Sequence, residues 1–186
     1  MELNSDQKRQ IVEIAKEAIS LYVKEKRKLD LDYVSKRIPE LFYMKEGVFV
    51  TIYKLKELRG CIGFTYPVEA FGNALIDSAI LSASEDPRFD PLQPEELKDL
   101  KVEVSVLEKP VIVNKDNIEK EIKIGEDGLI VSSQLASGLL LPQVAIEEQF
   151  DALSFVEATC LKAGLSKNAW KEKETKLFKF RACYFS

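Results

Sequence analysis

No histidine occurs among the 186 residues. Cys–His and Ser–His catalytic sets, HExxH zinc sites and His–carboxylate iron sites therefore cannot be assembled from this chain alone. Cysteine is sparse as well. Cys61, Cys160 and Cys183 stand far apart, with no CxxC spacing. An odd, scattered set argues against a disulfide framework and fits a reducing compartment. It supplies no metal-ligand pattern either, so no metal and no cofactor is assigned. Positive charge is not in excess: 27 Lys and Arg face 31 Asp and Glu, a formal net charge of -4. Without a basic field to gather phosphates, nucleic acid is a poor partner. No apolar run approaches the roughly 18 residues of a membrane span. The opening Met1-Glu2-Leu3-Asn4-Ser5-Asp6 has neither the basic start nor the apolar core of a signal peptide. The expected setting is the cytoplasm, with no membrane contact.

What is present reads as a soluble globular protein, 46% hydrophobic and 31% charged. A single domain over 1–186 is expected, with two interleaved subdomains as the alternative. Ser5 can cap a helix running to about Arg27, with Ile11, Ile14, Ala15, Ala18, Leu21 and Tyr22 as its apolar stripe. Residues 30–46 are mixed, and Pro39 marks irregular chain. Residues 47–64 read as a hairpin, β-branched and aromatic in its first arm, which Pro67 ends. A second helix from Glu69 carries a face of small residues. Asp86-Pro87-Arg88-Phe89-Asp90-Pro91 is a proline-stiffened loop. Leu100 to Leu107 alternates as a half-buried strand. Ile122 to Val131 reads as a hairpin around Gly125-Glu126-Asp127-Gly128, Glu147 to Ala163 as one long helix capped by Gly164, and Leu177 to Phe185 as the last strand. Three main helices among antiparallel strands predict an α+β fold.

The densest chemistry lies in Leu58-Arg59-Gly60-Cys61-Ile62-Gly63. On a regular strand Arg59 and Cys61 share one face, and Leu58 and Ile62 take the other. A guanidinium close to a thiol favours the thiolate, so Arg59 is a candidate activator of Cys61. Gly60 and Gly63 would let a ligand or a second backbone approach closely. The plain alternative is a buried cysteine in a glycine-kinked strand, with Arg59 paired to a carboxylate such as Asp86.

Together with Asp86-Pro87-Arg88-Phe89, Glu103-Val104-Ser105-Val106-Leu107, Gly128-Leu129-Ile130-Val131, Leu140-Leu141-Pro142-Gln143-Val144 and Cys160-Leu161-Lys162-Ala163-Gly164-Leu165, the hexamer resembles the AMMECR-type domain family. The matches run in order over nearly the whole chain, in the compact archaeal form. The resemblance implies a two-lobed α+β fold with the signature strand facing a cleft. It also implies a role in a modification pathway, because family members occur with Memo-type and radical-SAM proteins. Arg59, Gly60, Cys61, Gly63, Asp86, Arg88, Phe89 and Gln143 are carried over as the functional surface.

Each of these has a structural reading too. Arg88 and Phe89 can hold an anionic or planar ligand, or Arg88 can pair with Asp86 or Asp90 while Phe89 plugs the core. Gln143 can present its amide to a ligand or bond to backbone. Cys160 and Cys183 read as core, and Trp170 as covering an edge of it. Two functions from different classes follow. One is an enzyme with Cys61 as nucleophile or redox-active thiolate, Arg59 as activator and Asp86 as proton relay. The other is a binding or scaffold module in which Gly60, Gly63, Arg88, Phe89 and Gln143 recognise a protein partner or a small anion.

Overall fold

The computed structural model describes residues 3–66, 69–134 and 136–186; Pro67, expected to end the first hairpin, lies outside them. The chain forms two compact units, one of Met1–Leu107 with Cys183–Ser186, the other of Glu108–Ala182.

In the first unit, helix α1 (Ser5–Glu25) buries Ile11, Ile14, Ala15 and Ala18 completely. Its cap is Asn4 rather than Ser5: the Asn4 side chain accepts from the Gln7 N–H while Gln7 returns a bond to the Asn4 N–H, satisfying two donors at once. Residues 31–37 are not irregular. Asp30 accepts from the Tyr33 N–H and starts α2 (Leu31–Arg37), a cap signal that the proline downstream obscures. Strands β1 (Gly47–Lys54) and β2 (Glu57–Phe64) form the expected hairpin. Its turn residues Leu55 and Lys56 both have positive φ, 51° and 75°, as a tight two-residue turn of matching twist requires. Helix α3 (Phe71–Ser84) follows, then a 3-10 turn at Pro94–Asp99 and strand β3 (Leu100–Leu107), which pairs with the other side of β1. Val48, Val50 and Ile52 alternate with Val102, Val104 and Val106 to present one dry face of this antiparallel sheet, part of the same core as α1 and α3.

The second unit holds β4 (Val111–Ile112), α4 (Ile118–Glu121), β5 (Asp127–Ser132), β6 (Ser137–Leu140), α5 (Pro142–Glu147), α6 (Ala152–Lys162) and most of β7 (Lys176–Phe185). Strand β7 pairs with β4 and β5, and β5 with β6, all antiparallel. Its core gathers Phe155, Val156, Cys160, Leu129, Leu177 and Trp170. Two expectations change here. Residues 122–131 are not a hairpin: Ile122 caps α4 and a turn at Gly125, φ 82°, leads into β5, where Gly128 lies beneath the Phe180 ring. The long helix from Glu147 is broken. Gln149 adopts φ 53°, Asp151 caps α6 through Ser154, and Pro142 opens the shorter α5. Gly164, φ 73°, ends α6 as expected, and the Leu165 N–H returns to the Cys160 carbonyl. A third change concerns Cys183, which belongs to the first unit and is half-buried rather than core. The architecture is α+β with antiparallel sheets, and among the described residues no helix is long and apolar enough to cross a membrane.

Candidate functional site

The site is built on β2, and an irregularity in that strand decides where its side chains go. Ile52 pairs with Gly60, but Tyr53 pairs with Leu58, which leaves Arg59 as an extra residue in a bulge. The expected alternation therefore fails. Leu58 lies opposite Tyr53 and Cys61 opposite Thr51, so both fall on the same face of the sheet.

Arg59, released from the ladder, turns to the 3-10 segment. Its Nε and Nη2 donate to the two carboxylate oxygens of Glu96 at 3.2 and 3.1 Å, and its Nη1 donates to the Asp90 carbonyl at 2.8 Å. Lys54 adds an ammonium to the same carboxylate at 2.8 Å, and the Gln93 N–H a fourth donor at 3.0 Å. With the Arg59 bonds as the chief cause, these hold the Glu96 carboxyl down at about 2, although its burial opposes the shift. The guanidinium is thus spent on Glu96. The carboxylate partner foreseen for Arg59 exists, but it is Glu96 and not Asp86.

Asp86 instead serves Arg88 and Cys61. Its side chain, 3% exposed, accepts from Arg88 Nε at 2.9 Å, Arg88 Nη2 at 2.7 Å and the Arg88 N–H at 3.1 Å. The Cys61 N–H donates at 2.8 Å to Asp86 Oδ2, the oxygen that Arg88 Nη2 also reaches. Arg88 Nη2 also donates to the Cys61 carbonyl at 3.3 Å. The Arg88 guanidinium, first, and these N–H donors hold the Asp86 carboxyl well below the usual carboxylate range. Arg88 is raised in turn, mainly by Asp86 and in smaller part by Cys61. The loop's charged pair so occupies both main-chain groups of Cys61, where a neighbouring strand would otherwise bond. A strand edge covered in this way is closed to strand addition.

The Cys61 thiol points to the opposite side of the sheet from α3. Its Sγ lies 3.2 Å from the Thr51 Oγ1, the one hydrogen-bond contact of the thiol with the described residues. Neither glycine of the signature leaves room for a ligand. A Cβ on Gly60 would overlap the Ser82 carbonyl oxygen, so Gly60 admits the backbone of α3. A Cβ on Gly63 would overlap the Val48 carbonyl oxygen and Phe49 Cα. Ser82 exploits the close approach: its hydroxyl accepts from the Ile62 N–H at 2.8 Å and donates to the Val50 carbonyl at 2.7 Å, bridging β2 and β1.

Phe89 does not plug the core. It is half-buried beside Arg88, whose guanidinium carbon stands 5.4 Å from the ring centroid, and half of the Arg88 side chain is exposed. Gln143 belongs to the second unit, in the first turn of α5; its buried Oε1 has no hydrogen-bond partner among the described residues. The fold brings Cys61, Asp86, Arg88 and Phe89 together and sends Arg59 to a separate ion-pair cluster. Sequence reasoning missed Glu96, Thr51 and Ser82. Thr51 was recoverable from the hairpin register, which sets it opposite Cys61; Glu96 and Ser82 depend on how α3 and the segment after it fold back. Among the described residues no group of three or more Cys, Asp or Glu side chains is placed to hold a metal ion.

Comparison with known proteins places this arrangement in a family. A protein of Methanothermobacter thermautotrophicus is 43% identical over 186 residues, covering 98% of this chain and 95% of that one. Protein TK0174 of Thermococcus kodakarensis is 42% identical over 94% of this chain and 87% of its own. The crystal structure of uncharacterized protein PH0010 from Pyrococcus horikoshii superposes with a TM-score of 0.85 at 41% identity, covering 94% of this chain and 88% of that one. The AMMECR1 family model matches residues 12–185, and the chain belongs to the AMMECR1 family.

Proposed function

We propose that the chain is a recognition module, not itself a catalyst, and that its Arg88–Phe89 corner holds an anionic group of a protein partner or small ligand. The observation that carries this reading is the use made of Asp86. A carboxylate held so far below its usual range, with four donors on it, is a poor proton relay. It is well suited to orienting the half-exposed guanidinium of Arg88 over Phe89. Arg88 Nη1 has no hydrogen bond to a described residue and can take an incoming oxygen, while the ring offers a planar face. The module acts in the cytoplasm, where its three free cysteines stay reduced. In line with the family resemblance, its partners are Memo-type or radical-SAM proteins of a modification pathway. The test is capture of such a partner by the wild-type chain, Arg88→Ala and Cys61→Ala. Loss in Arg88→Ala with retention in Cys61→Ala is expected; the reverse pattern would overturn the reading.

A second reading keeps Cys61 as a nucleophile or redox-active thiolate. What favours it is the fixing of the cysteine: both main-chain groups are tied to the Asp86–Arg88 pair and its thiol touches the Thr51 hydroxyl. Pre-organisation of that kind serves chemistry as well as packing. Selective modification of Cys61 when the pathway proteins are supplied together, lost in Cys61→Ser, would support it.

A further inference from the structure

A depression of about 430 Å³ lies at the turn end of the β1–β2–β3 sheet, lined by Tyr53, Leu55, Lys56, Asp99, Lys101 and Glu103. Two cations and two anions converge on it. No hydrogen bond or ion pair within 4 Å joins any of these four charged groups to a described residue. By contrast Lys54, nearby on β1, is fully engaged with Glu96. Glu103 is half-buried, and its burial pushes the carboxyl up, with Lys101 only partly offsetting the effect. A half-buried carboxylate whose burial Lys101 offsets only in part is further stabilised by a second cation.

The register fixes the spacing. Tyr53 is opposite Lys101, and Thr51 is opposite Glu103, so Lys101 and Glu103 sit two residues apart on one face of β3, about 6–7 Å along the strand. On the far side of Thr51, the same row continues to Cys61. The turn that walls the depression is held in a backbone region unfavourable to its residues, with Leu55 and Lys56 at positive φ and Leu55 80% exposed.

From the balanced and unspent charge we propose that this depression binds a small zwitterion, a molecule with an ammonium and a carboxylate a few ångströms apart, as in a free α-amino acid. The ammonium is taken by Glu103. The carboxylate is taken by Lys101, with Lys56 beside it. Tyr53 and Leu55 receive the apolar part. A ligand carrying only one charge leaves the opposite pair unanswered, so both groups are required. The site is separate from the Arg88 corner and stands or falls independently of that reading.

The experiment is an NMR titration of the whole protein with free L-leucine and L-alanine, beside N-acetyl-leucine, which lacks the ammonium, and leucinamide, which lacks the carboxylate. Saturable shifts at Tyr53, Lys101 and Glu103 with the free amino acids are expected. The two blocked forms, and the variants Glu103→Gln and Lys101→Met, are expected to bind about tenfold or more weakly, the loss of one charge-assisted hydrogen bond. Lys101 is exposed and Glu103 half-buried, and an unchanged amide spectrum verifies that each variant is folded. No saturable shift with either free amino acid overturns the proposal. So does N-acetyl-leucine or leucinamide binding as well as leucine, or full binding by folded Glu103→Gln.

Discussion

On one face of the first sheet, Val48, Val50, Ile52 and Val104 are buried in the core with α3, and Gly60 is a glycine because the Ser82 backbone lies where its side chain would be. On the other face stand Thr51, Cys61, Lys101 and Glu103, a hydroxyl, a thiol and two opposite charges in two adjoining rows. The first face is fixed by shape, which tolerates no added atom. The second is fixed from the edge, by an ion pair that ties down the Cys61 main chain and leaves the thiol to Thr51. A single strand thus packs on one side and presents polar side chains on the other; of the hexamer's two glycines Gly60 lies on the former, and Gly63, opposite Phe49, on the latter.

The sharpest way to break the packing face is Gly60→Ala. Its methyl meets backbone rather than a movable side-chain tip, so α3 must shift. A loss of about 3 kcal/mol is expected, read as a lowered urea midpoint with unchanged slope. Removing the edge clamp comes next. Asp86→Ala leaves Arg88 and the Cys61 N–H without their acceptor, at about 2–3 kcal/mol near neutral pH. Because the Asp86 carboxyl is depressed in the folded state, its contribution is fully present above its unfolded value of about 4 and is lost as pH falls through the folded one. The gap between wild type and variant in denaturation curves should therefore close only in strong acid. Glu96→Gln tests the bulge residue in the same way, at about 1–2 kcal/mol, with the difference fading from about pH 4.5 towards about 2. The smallest effect has the opposite sign. Replacing Leu55-Lys56 by Asn-Gly relieves two positive-φ positions and should raise stability by about 1 kcal/mol, measured as an upward shift of the melting midpoint.

How far the sequence could be read follows the same division. Alternation in 100–107 predicts the dry face correctly, because burial against one partner imposes a period of two, while 47–54 is legible as a strand from its β-branched and aromatic run. The long helical stripe of α1 is equally plain, although its cap moved by one residue, it ends at Glu25, and Ile19 and Val23 rather than Leu21 and Tyr22 complete the buried face. The site was legible as a set of residues but not as a set of pairs. A bulge inserts one residue and reverses the facing of everything beyond it, and no propensity announces it at Arg59. The partner of Arg59 could not be foreseen because Glu96 is 37 residues away and arrives through a short 3-10 turn. The break between α5 and α6 was hidden for a related reason: Gln149 takes a left-handed conformation usually marked by glycine. The charged depression had no sequence signal beyond Lys101 and Glu103 two apart on a strand, since its other wall comes from the hairpin turn.

The central claim is that Asp86 and Arg88 hold the main chain of Cys61 by hydrogen bonds, while the hydrogen bond of its thiol is with Thr51. Hydrogen exchange of two neighbouring amides tests it most directly. The Cys61 N–H is held by Asp86 and the Ile62 N–H by Ser82. In Asp86→Ala the Cys61 amide should exchange about tenfold or more faster relative to Ile62 than in the wild type. Equal acceleration of both amides, or a Cys61 amide already unprotected in the wild type, would contradict the claim.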